Sequence, residues 1–100
     1  MENIHQDTLR ANWIFLTENL VLNDLLDFLV QEFLFSDDMY EEVKAEKTNK
    51  DKVVKFLFIL QRRGPQAFEK FMAGLRQTNQ DFIAEKLSET LQQLRLRGGV

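Results

Sequence analysis

The sequence predicts an all-α domain, a six-helix antiparallel bundle, on the distribution of its turn residues and of its apolar residues. One proline and four glycines in 100 residues leave few breaks, whereas a sandwich or a barrel needs turn residues about every 8–12 positions. The apolar residues recur at helical rather than alternating spacing. With 44% hydrophobic and 29% charged residues, the composition is that of one folded domain.

The first helix is predicted over about residues 5–21. Leu9, Leu16 and Leu20 follow one another at i, i+7 and i+11, which places them on one stripe of an amphipathic helix. His5, the one histidine, lies near the N-terminus, and no serine or cysteine is arranged with it as a catalytic triad. We therefore expect His5 to be a solvated side chain.

The second and third helices are marked by candidate N-caps. Asn23 is the predicted cap of the second helix, whose apolar residues are Leu25, Leu26, Phe28, Leu29, Phe33 and Leu34. Ser36 is the predicted cap of a short third helix, with Asp37 and Asp38 in its first turn, where carboxylates favour the helix dipole. The apolar residues of that helix are Met39, Tyr40 and Val43.

The fourth helix begins in a capping-box pattern, in which Thr48 is followed three residues later by Asp51 instead of the usual Glu or Gln. Taken alone, the apolar run over residues 53–60 is also compatible with a strand. The cap and the polar ends extend the segment to about 14 residues, which favours a helix. Because its apolar residues cover more than one side, we expect the buried central helix of the bundle.

The last two helices follow a sharp turn. Gly64 suits the left-handed position that ends a helix, and Pro65 suits the first turn of the next one. The fifth helix then carries Phe68, Phe71, Met72 and Leu75 on one side. Asn79 is the predicted cap of a sixth helix with Phe82, Ile83, Leu87, Leu91 and Leu94 at helical spacing. We expect a domain over residues 1–90, with residues 91–100 completing the sixth helix and starting a linker.

The residue types exclude most kinds of chemistry. Cysteine is absent, so these residues hold no disulfide, no thiolate zinc site and no cysteine nucleophile. Four carboxylates fall on about one helical turn, but neither a glycine-containing calcium loop nor a Glu-x-x-His pair accompanies them. They are Asp37, Asp38, Glu41 and Glu42. We therefore predict a chain that is not an enzyme and binds no cofactor, metal or small-molecule ligand.

The 100 residues also contain no apolar segment of the kind that marks a secreted or membrane protein. The chain starts with polar residues, and its apolar runs are far shorter than the ~20 residues that span a bilayer. We expect a cytoplasmic protein, with a nuclear location as the other option, that works by contact with other proteins.

The formal net charge of −3 hides two stretches of opposite charge. Residues 18–46 hold nine acids and one base, a net −8, and residues 47–76 hold eight bases and two acids, a net +6. A small domain with one acidic and one basic stretch can attract copies or relatives of itself head to tail. The basic residues are also compatible with nucleic-acid binding, although the surrounding acids weaken long-range attraction to phosphates.

Three segments resemble the caspase recruitment domain (CARD), a branch of the death-fold superfamily. Residues 60–68 (LQRRGPQAF) and 75–80 (LRQTNQ) are similar to the junction between helices 4 and 5 in initiator-caspase prodomains and in the adaptor RAIDD. Residues 5–12 (HQDTLRAN) resemble the caspase-two type of prodomain. The resemblance covers about residues 3–90 and implies a six-helix bundle whose first helix is often bent.

The resemblance also implies homotypic docking, in which a basic face of helices 1 and 4 meets an acidic face of helices 2 and 3 on the partner. The basic face would draw on Arg10, Lys52, Lys55, Arg62 and Arg63. The acidic face would draw on Asp24, Asp27, Glu32, Asp37, Asp38, Glu41 and Glu42. Helix 1 offers a single base where relatives often cluster several, so Trp13 is a further candidate contact, unless it belongs to the core.

The implied function is recruitment of an initiator caspase to an adaptor, with proximity-induced activation in apoptosis and a higher-order oligomer as one outcome of the docking. A protease domain would then follow residue 100. An adaptor or a CARD-only regulator without a protease is the alternative, and a helical nucleic-acid-binding domain is a more distant one.

Overall fold

The computed structural model describes residues 1–98 and is helical throughout, with seven helices in that range. The helices are α1 (Asn3–Ala11), α2 (Trp13–Asn19), α3 (Asn23–Gln31), α4 (Asp37–Lys44), α5 (Asn49–Leu60), α6 (Ala67–Gln77) and α7 (Asp81–Gly98). The predicted all-α bundle is confirmed, and the seventh helix arises because the predicted first helix is divided in two. The predicted linker falls partly on residues 99–100, which lie outside the described residues.

The division of the first helix lies at Asn12. Its backbone leaves the helical region (φ −116°, ψ 22°), and its buried side chain donates to the carbonyl of Thr8 and to the hydroxyl of Thr90, both at 3.0 Å. An asparagine side chain that makes hydrogen bonds of this kind competes with the backbone hydrogen bonds of a helix, and this competition explains the break. The bond to Thr90 also ties the break to α7, and α1 packs along α7.

The helix caps agree with the sequence at two positions. The Ser36 hydroxyl accepts a hydrogen bond from the amide of Met39 (3.2 Å), and the Thr48 hydroxyl accepts one from the amide of Asp51 (3.0 Å). Gly64 adopts a left-handed conformation (φ 93°), as the turn after α5 requires. Because α6 starts at Ala67, Pro65 precedes this helix and does not stand in its first turn as predicted. The predicted cap chemistry therefore defines the starts of α4 and α5.

Two predicted N-caps are wrong. Asn23 is the first residue of α3, and its side-chain oxygen accepts instead from the ammonium of Lys44 (3.0 Å). Asn79 does not cap α7 but is left-handed (φ 62°) at the turn that ends α6. Asparagine is common both at N-caps and in the left-handed position after a helix, and the sequence pattern does not show which of these two positions a given asparagine occupies.

The second predicted helix also ends earlier than its apolar pattern suggested. It stops at Gln31, so Phe33 and Leu34 lie in the connection to α4 rather than on the helix. Leu34 is buried, whereas Phe33 is 94% exposed and left-handed (φ 60°). The apolar residues keep a helical spacing beyond the end of α3, through a turn in which the backbone reverses, and the predicted helix was too long for this reason.

The core receives side chains from every helix, and α5 lies at its centre as predicted. Val53, Phe56, Leu57, Ile59 and Leu60 of α5 are all buried. Helices α2 and α4 pack against α5, while α6 packs on α3 and α7. At Gly74 a β-carbon would lie 2.6 Å from Leu25, so only glycine permits this close approach of α6 to α3.

Candidate interaction faces

An acidic groove lies between α3 and α4. Asp27 of α3 and two carboxylates of α4, Asp37 and Glu41, line a cavity of about 420 Å³ together with Val30 and Tyr40. Helix α4 begins at Asp37, directly after its cap Ser36. Asp37 and Glu41 are four residues apart, so they lie on the same side of this helix. The groove therefore joins three predicted acidic residues to a small apolar floor.

Tyr40 is the polar group at the floor of the acidic groove. Loss of hydration and the negative charge of Asp27 raise the pKa of the Tyr40 phenol above its usual value. The phenol therefore stays protonated at neutral pH and remains a hydrogen-bond donor. Lys44, the one base between residues 18 and 46, lies 5.4 Å from the Tyr40 ring and bonds Asn23 of α3.

The other predicted acidic residues do not line this groove. Asp24 shares a neighbouring cavity of about 360 Å³ with Asp27 and with Asn79 at the end of α6. Asp38 and Glu42 are exposed and form a second i, i+4 row on α4. Glu32 is half-buried, and its backbone carbonyl accepts from the Lys70 ammonium at 2.8 Å.

A basic and aromatic pocket lies between α5 and the junction of α1 and α2. Arg10, Trp13, Val54 and Phe58 line a cavity of about 360 Å³. The rings of Trp13 and Phe58 are 5.4 Å apart at an angle of 55°. Trp13 is half-buried, so it packs against the core with one side and lines the pocket with the other.

The remaining bases differ in how freely they can reach a partner. Lys55 precedes Phe58 by about one helical turn, which puts it beside the aromatic pocket, and Arg62 is exposed just after α5. Lys52, like Lys55, is half-buried on α5. Arg63 is also half-buried, and its Nε donates to the carbonyl of Leu34 (3.1 Å), so part of its hydrogen-bonding capacity is used within the fold.

Comparison with known proteins identifies the family. A family model described as "Caspase recruitment domain" matches residues 6–90. The chain belongs to the caspase recruitment domain family. Caspase-2 of Gallus gallus is 33% identical to it over 95 residues, which are 95% of this chain and 22% of that protein. The chain therefore spans about a fifth of the length of this relative.

Membership of the CARD family identifies the chain as a protein-interaction module. These 100 residues contain no cysteine, so the CARD cannot itself supply the nucleophile of a cysteine protease. Within residues 1–98, no helix is long and apolar enough to cross a membrane. In the same range, no three histidine, cysteine or acidic side chains are grouped closely enough to hold a metal ion.

The expectation that His5 is a solvated side chain is wrong. His5 is 5% exposed and stacks on Phe68 with ring centroids 4.3 Å apart and an angle of 3°. Its Nδ1 atom is buried without a hydrogen-bond partner, and burial lowers the pKa of the imidazole. The sequence carried a weak signal, because His5 precedes the buried Leu9 by four residues on the same helical stripe.

Sequence reasoning missed the aromatic residues that the CARD exposes. Phe58 is 46% exposed and lines the basic pocket, although it lies in the most apolar segment of the chain. Phe33 was assigned to a helix and is the most exposed large apolar side chain among residues 1–98. The spacing of Val54 and Phe58 on the side of α5 opposite Phe56 was the available signal for the pocket.

Proposed function

We propose that this CARD recruits an initiator caspase to an adaptor by docking its acidic groove and its basic, aromatic pocket onto complementary faces of other CARDs. The recruited catalytic domains are brought together, and their proximity favours activation in apoptosis. The observation that carries this proposal is the separation of charge: three carboxylates line one groove, and Arg10, with Lys55 nearby, borders the other. Opposed charges of this kind steer encounter and fix orientation.

The similarity to chicken caspase-2 supports a prodomain of an initiator caspase in particular. The alternative, an adaptor or a regulator without a protease, uses the same faces and differs in what the transcript encodes after codon 100. A Gln-Ala-Cys-x-Gly motif beyond that point supports the prodomain. A downstream death domain supports an adaptor, and a stop codon supports a CARD-only regulator.

The docking function is tested with purified CARDs of initiator caspases and of adaptors in a binding titration at low salt. Asp27→Lys in the acidic groove and Lys55→Glu beside the pocket should each weaken binding at least about tenfold to the partner that uses that face. The matched controls are Glu85→Lys and Lys86→Glu, two exposed positions of α7, which should bind like the parent.

The circular dichroism spectrum of each variant must match the parent, since a loss of binding through unfolding is uninformative about the faces. A charge reversal on the partner's contacting face should then restore part of the affinity lost by Asp27→Lys. Normal binding by both reversals at low salt contradicts the charged-face proposal.

A further inference from the structure

Phe33 occupies a backbone position that usually belongs to glycine. Its amide donates to the carbonyl of Val30 (3.0 Å), and the amide of Leu34 donates to that of Leu29 (2.9 Å), which together form a Schellman turn at the end of α3. The residue in this place is left-handed, here with φ 60°, and glycine or asparagine adopts that conformation at the lowest cost. A phenylalanine there is strained, and 94% of its surface is exposed.

Two cationic side chains hold the Phe33 turn on both sides. The Lys70 ammonium binds the carbonyl of Glu32 at 2.8 Å, and Nε of Arg63 binds the carbonyl of Leu34 at 3.1 Å. The residues immediately before and after Phe33 are therefore fixed to α6 and to the end of α5. A side chain presented from a fixed turn loses little entropy when a partner takes it up, which suits a binding anchor.

The basic, aromatic pocket has the size and the lining to receive an aromatic ring. Its volume is about 360 Å³, and Trp13, Val54 and Phe58 supply apolar walls. An apolar cavity of roughly 150 Å³ is enough to hold benzene. Aromatic side chains that fill apolar pockets at the centre of an interface carry much of its binding energy.

Phe33 does not line this pocket or fill it within one molecule, since 94% of its surface is exposed. Phe35, two residues after Phe33, stacks on Phe56 with ring centroids 5.3 Å apart. Phe56 leaves α5 on the side away from Val54 and Phe58, because two residues turn a helix by about 200°. The pocket can therefore receive the Phe33 of another molecule only.

The charges around the two features match this arrangement. Phe33 is flanked in sequence by Glu32 and by the acidic first turn of α4. The pocket is bordered by Arg10, with Lys55 one helical turn before Phe58. A second copy of the chain carries both the anchor and the pocket with the correct charges, which favours it as the occupant.

We propose that Phe33 of one molecule inserts into the Trp13, Val54 and Phe58 pocket of a second copy of this chain. The inference rests on the proposed function, since it uses the same acidic and basic faces, and it names the apolar contact at their centre. The contact is heterologous: each molecule retains one free anchor or one free pocket, so assembly can continue into a ring or a helix.

Sedimentation velocity of the full 100-residue chain over a range of concentrations tests the proposal. The parent should self-associate. Phe33→Gly, which removes the anchor and the strain, should weaken association at least tenfold, and Val54→Trp, which fills the pocket, should do the same. Phe58→Ala, which removes one wall of the pocket, is a second pocket variant and should also weaken association. Phe33→Tyr should retain association, and so should Leu96→Ala, the control at a residue 68% exposed on α7.

The decisive sample is an equimolar mixture of the Phe33→Gly and Val54→Trp chains. Each is defective alone, but together they retain one anchor and one intact pocket. We expect a heterodimer that grows no further. A mixture that stays monomeric, a Phe33→Gly chain that associates like the parent, or a parent that is monomeric at all concentrations overturns the proposal.

Charge reversals in the same assay separate this inference from the proposed function. If Asp27→Lys and Lys55→Glu abolish association while Phe33→Gly does not, the charged faces hold and the Phe33 contact is wrong. If Phe33→Gly abolishes association while both charge reversals leave it intact, the Phe33 contact holds and the charged-face docking is wrong.

Discussion

The turns that end α3 and α6 have the same backbone geometry and different residues at their centre. Phe33 and Asn79 are both left-handed, with φ 60° and 62°. In both turns the next amide reaches back to a carbonyl five residues earlier, at 2.9 and 2.7 Å. Asparagine fits this conformation, whereas phenylalanine is strained in it and exposed. The strain kept at one of these two equal turns motivates the contact proposed for Phe33.

The groups that hold the two turns differ as well. After Asn79, the buried side-chain amide of Gln80 accepts a hydrogen bond from the backbone amide of Val21 (2.9 Å) and donates one to the backbone carbonyl of Val21 (3.0 Å). The turn after α6 is therefore a structural joint between that helix and the segment before α3. The turn at Phe33 is held by Lys70 and Arg63 from outside and presents an aromatic ring to solvent. The hydrogen bonds of Gln80 explain the first turn, and the contact proposed for Phe33 would explain the second.

Gln80→Ala should have the largest effect on stability among changes in the two turns. The substitution leaves the amide and the carbonyl of Val21 without their partner in a partly buried place, which costs about 2 kcal/mol. Urea denaturation measures the loss of unfolding free energy. The control is Gln77→Ala, an exposed residue of the same helix end. Equal stability of the two variants would show that the Gln80 bonds are not what holds the joint.

Replacing Asn79 by phenylalanine and Phe33 by asparagine should change the stability of the fold in opposite directions. Asn79→Phe places an aromatic residue in a left-handed position and should cost about 1 kcal/mol, whereas Phe33→Asn relieves the same strain and should gain a similar amount. Thermal and urea denaturation measure both. A destabilised Phe33→Asn chain would mean that Phe33 contributes to the fold, contrary to its 94% exposure.

The same comparison explains how much of the fold was visible in the sequence. Caps whose side chain bonds the nearest amides, Ser36 and Thr48, were predicted from residue type and spacing. Asn79 was assigned to the wrong helix end, because asparagine serves both ends and only the surrounding chain decides between them. Phe33 carries no turn signal at all, since its residue type argues against the conformation that it adopts.

The candidate faces were predictable in part for a related reason. Charge depends on residue type alone, so the acidic and basic stretches were evident before the fold was known. Which carboxylates share a groove depends on the packing of α3 on α4, and Asp27 meets Asp37 and Glu41 only there. Exposed apolar residues, such as Phe58, were hidden because the sequence pattern treats every apolar residue as core.

Lys70→Met should have a smaller effect and should be confined to the turn at Phe33. The variant keeps the apolar stem of the side chain and removes the bond to the Glu32 carbonyl, at a cost of about 1 kcal/mol. Hydrogen exchange should speed up at the amides of residues 33 and 34 and remain unchanged at the turn after α6. Lys86→Met, at an exposed position of α7, is the control. Faster exchange at both turns would show that they are not independent.

Acid should have the smallest effect, and it should act on the side of α6 and not at the Phe33 turn. His5 stacks on Phe68, in the first turn of α6, and burial lowers the pKa of its imidazole below 6.5. Below that value the unfolded chain binds a proton more readily than the folded one, so stability present at pH 7.5 falls as the pH drops through 6.5 towards the lowered pKa. Urea denaturation at several pH values measures this loss.

His5→Phe separates the histidine from every other titrating group. The phenylalanine keeps an aromatic ring against Phe68, removes the unpartnered Nδ1 and cannot take up a proton. Its unfolding free energy should therefore vary less with pH between 7.5 and 5.5 than that of the parent. In the parent, hydrogen exchange in the same interval should accelerate in α1 and in the first turn of α6, before it does so at residues 33 and 34. An identical pH dependence in His5→Phe would show that His5 is not the source of the acid effect.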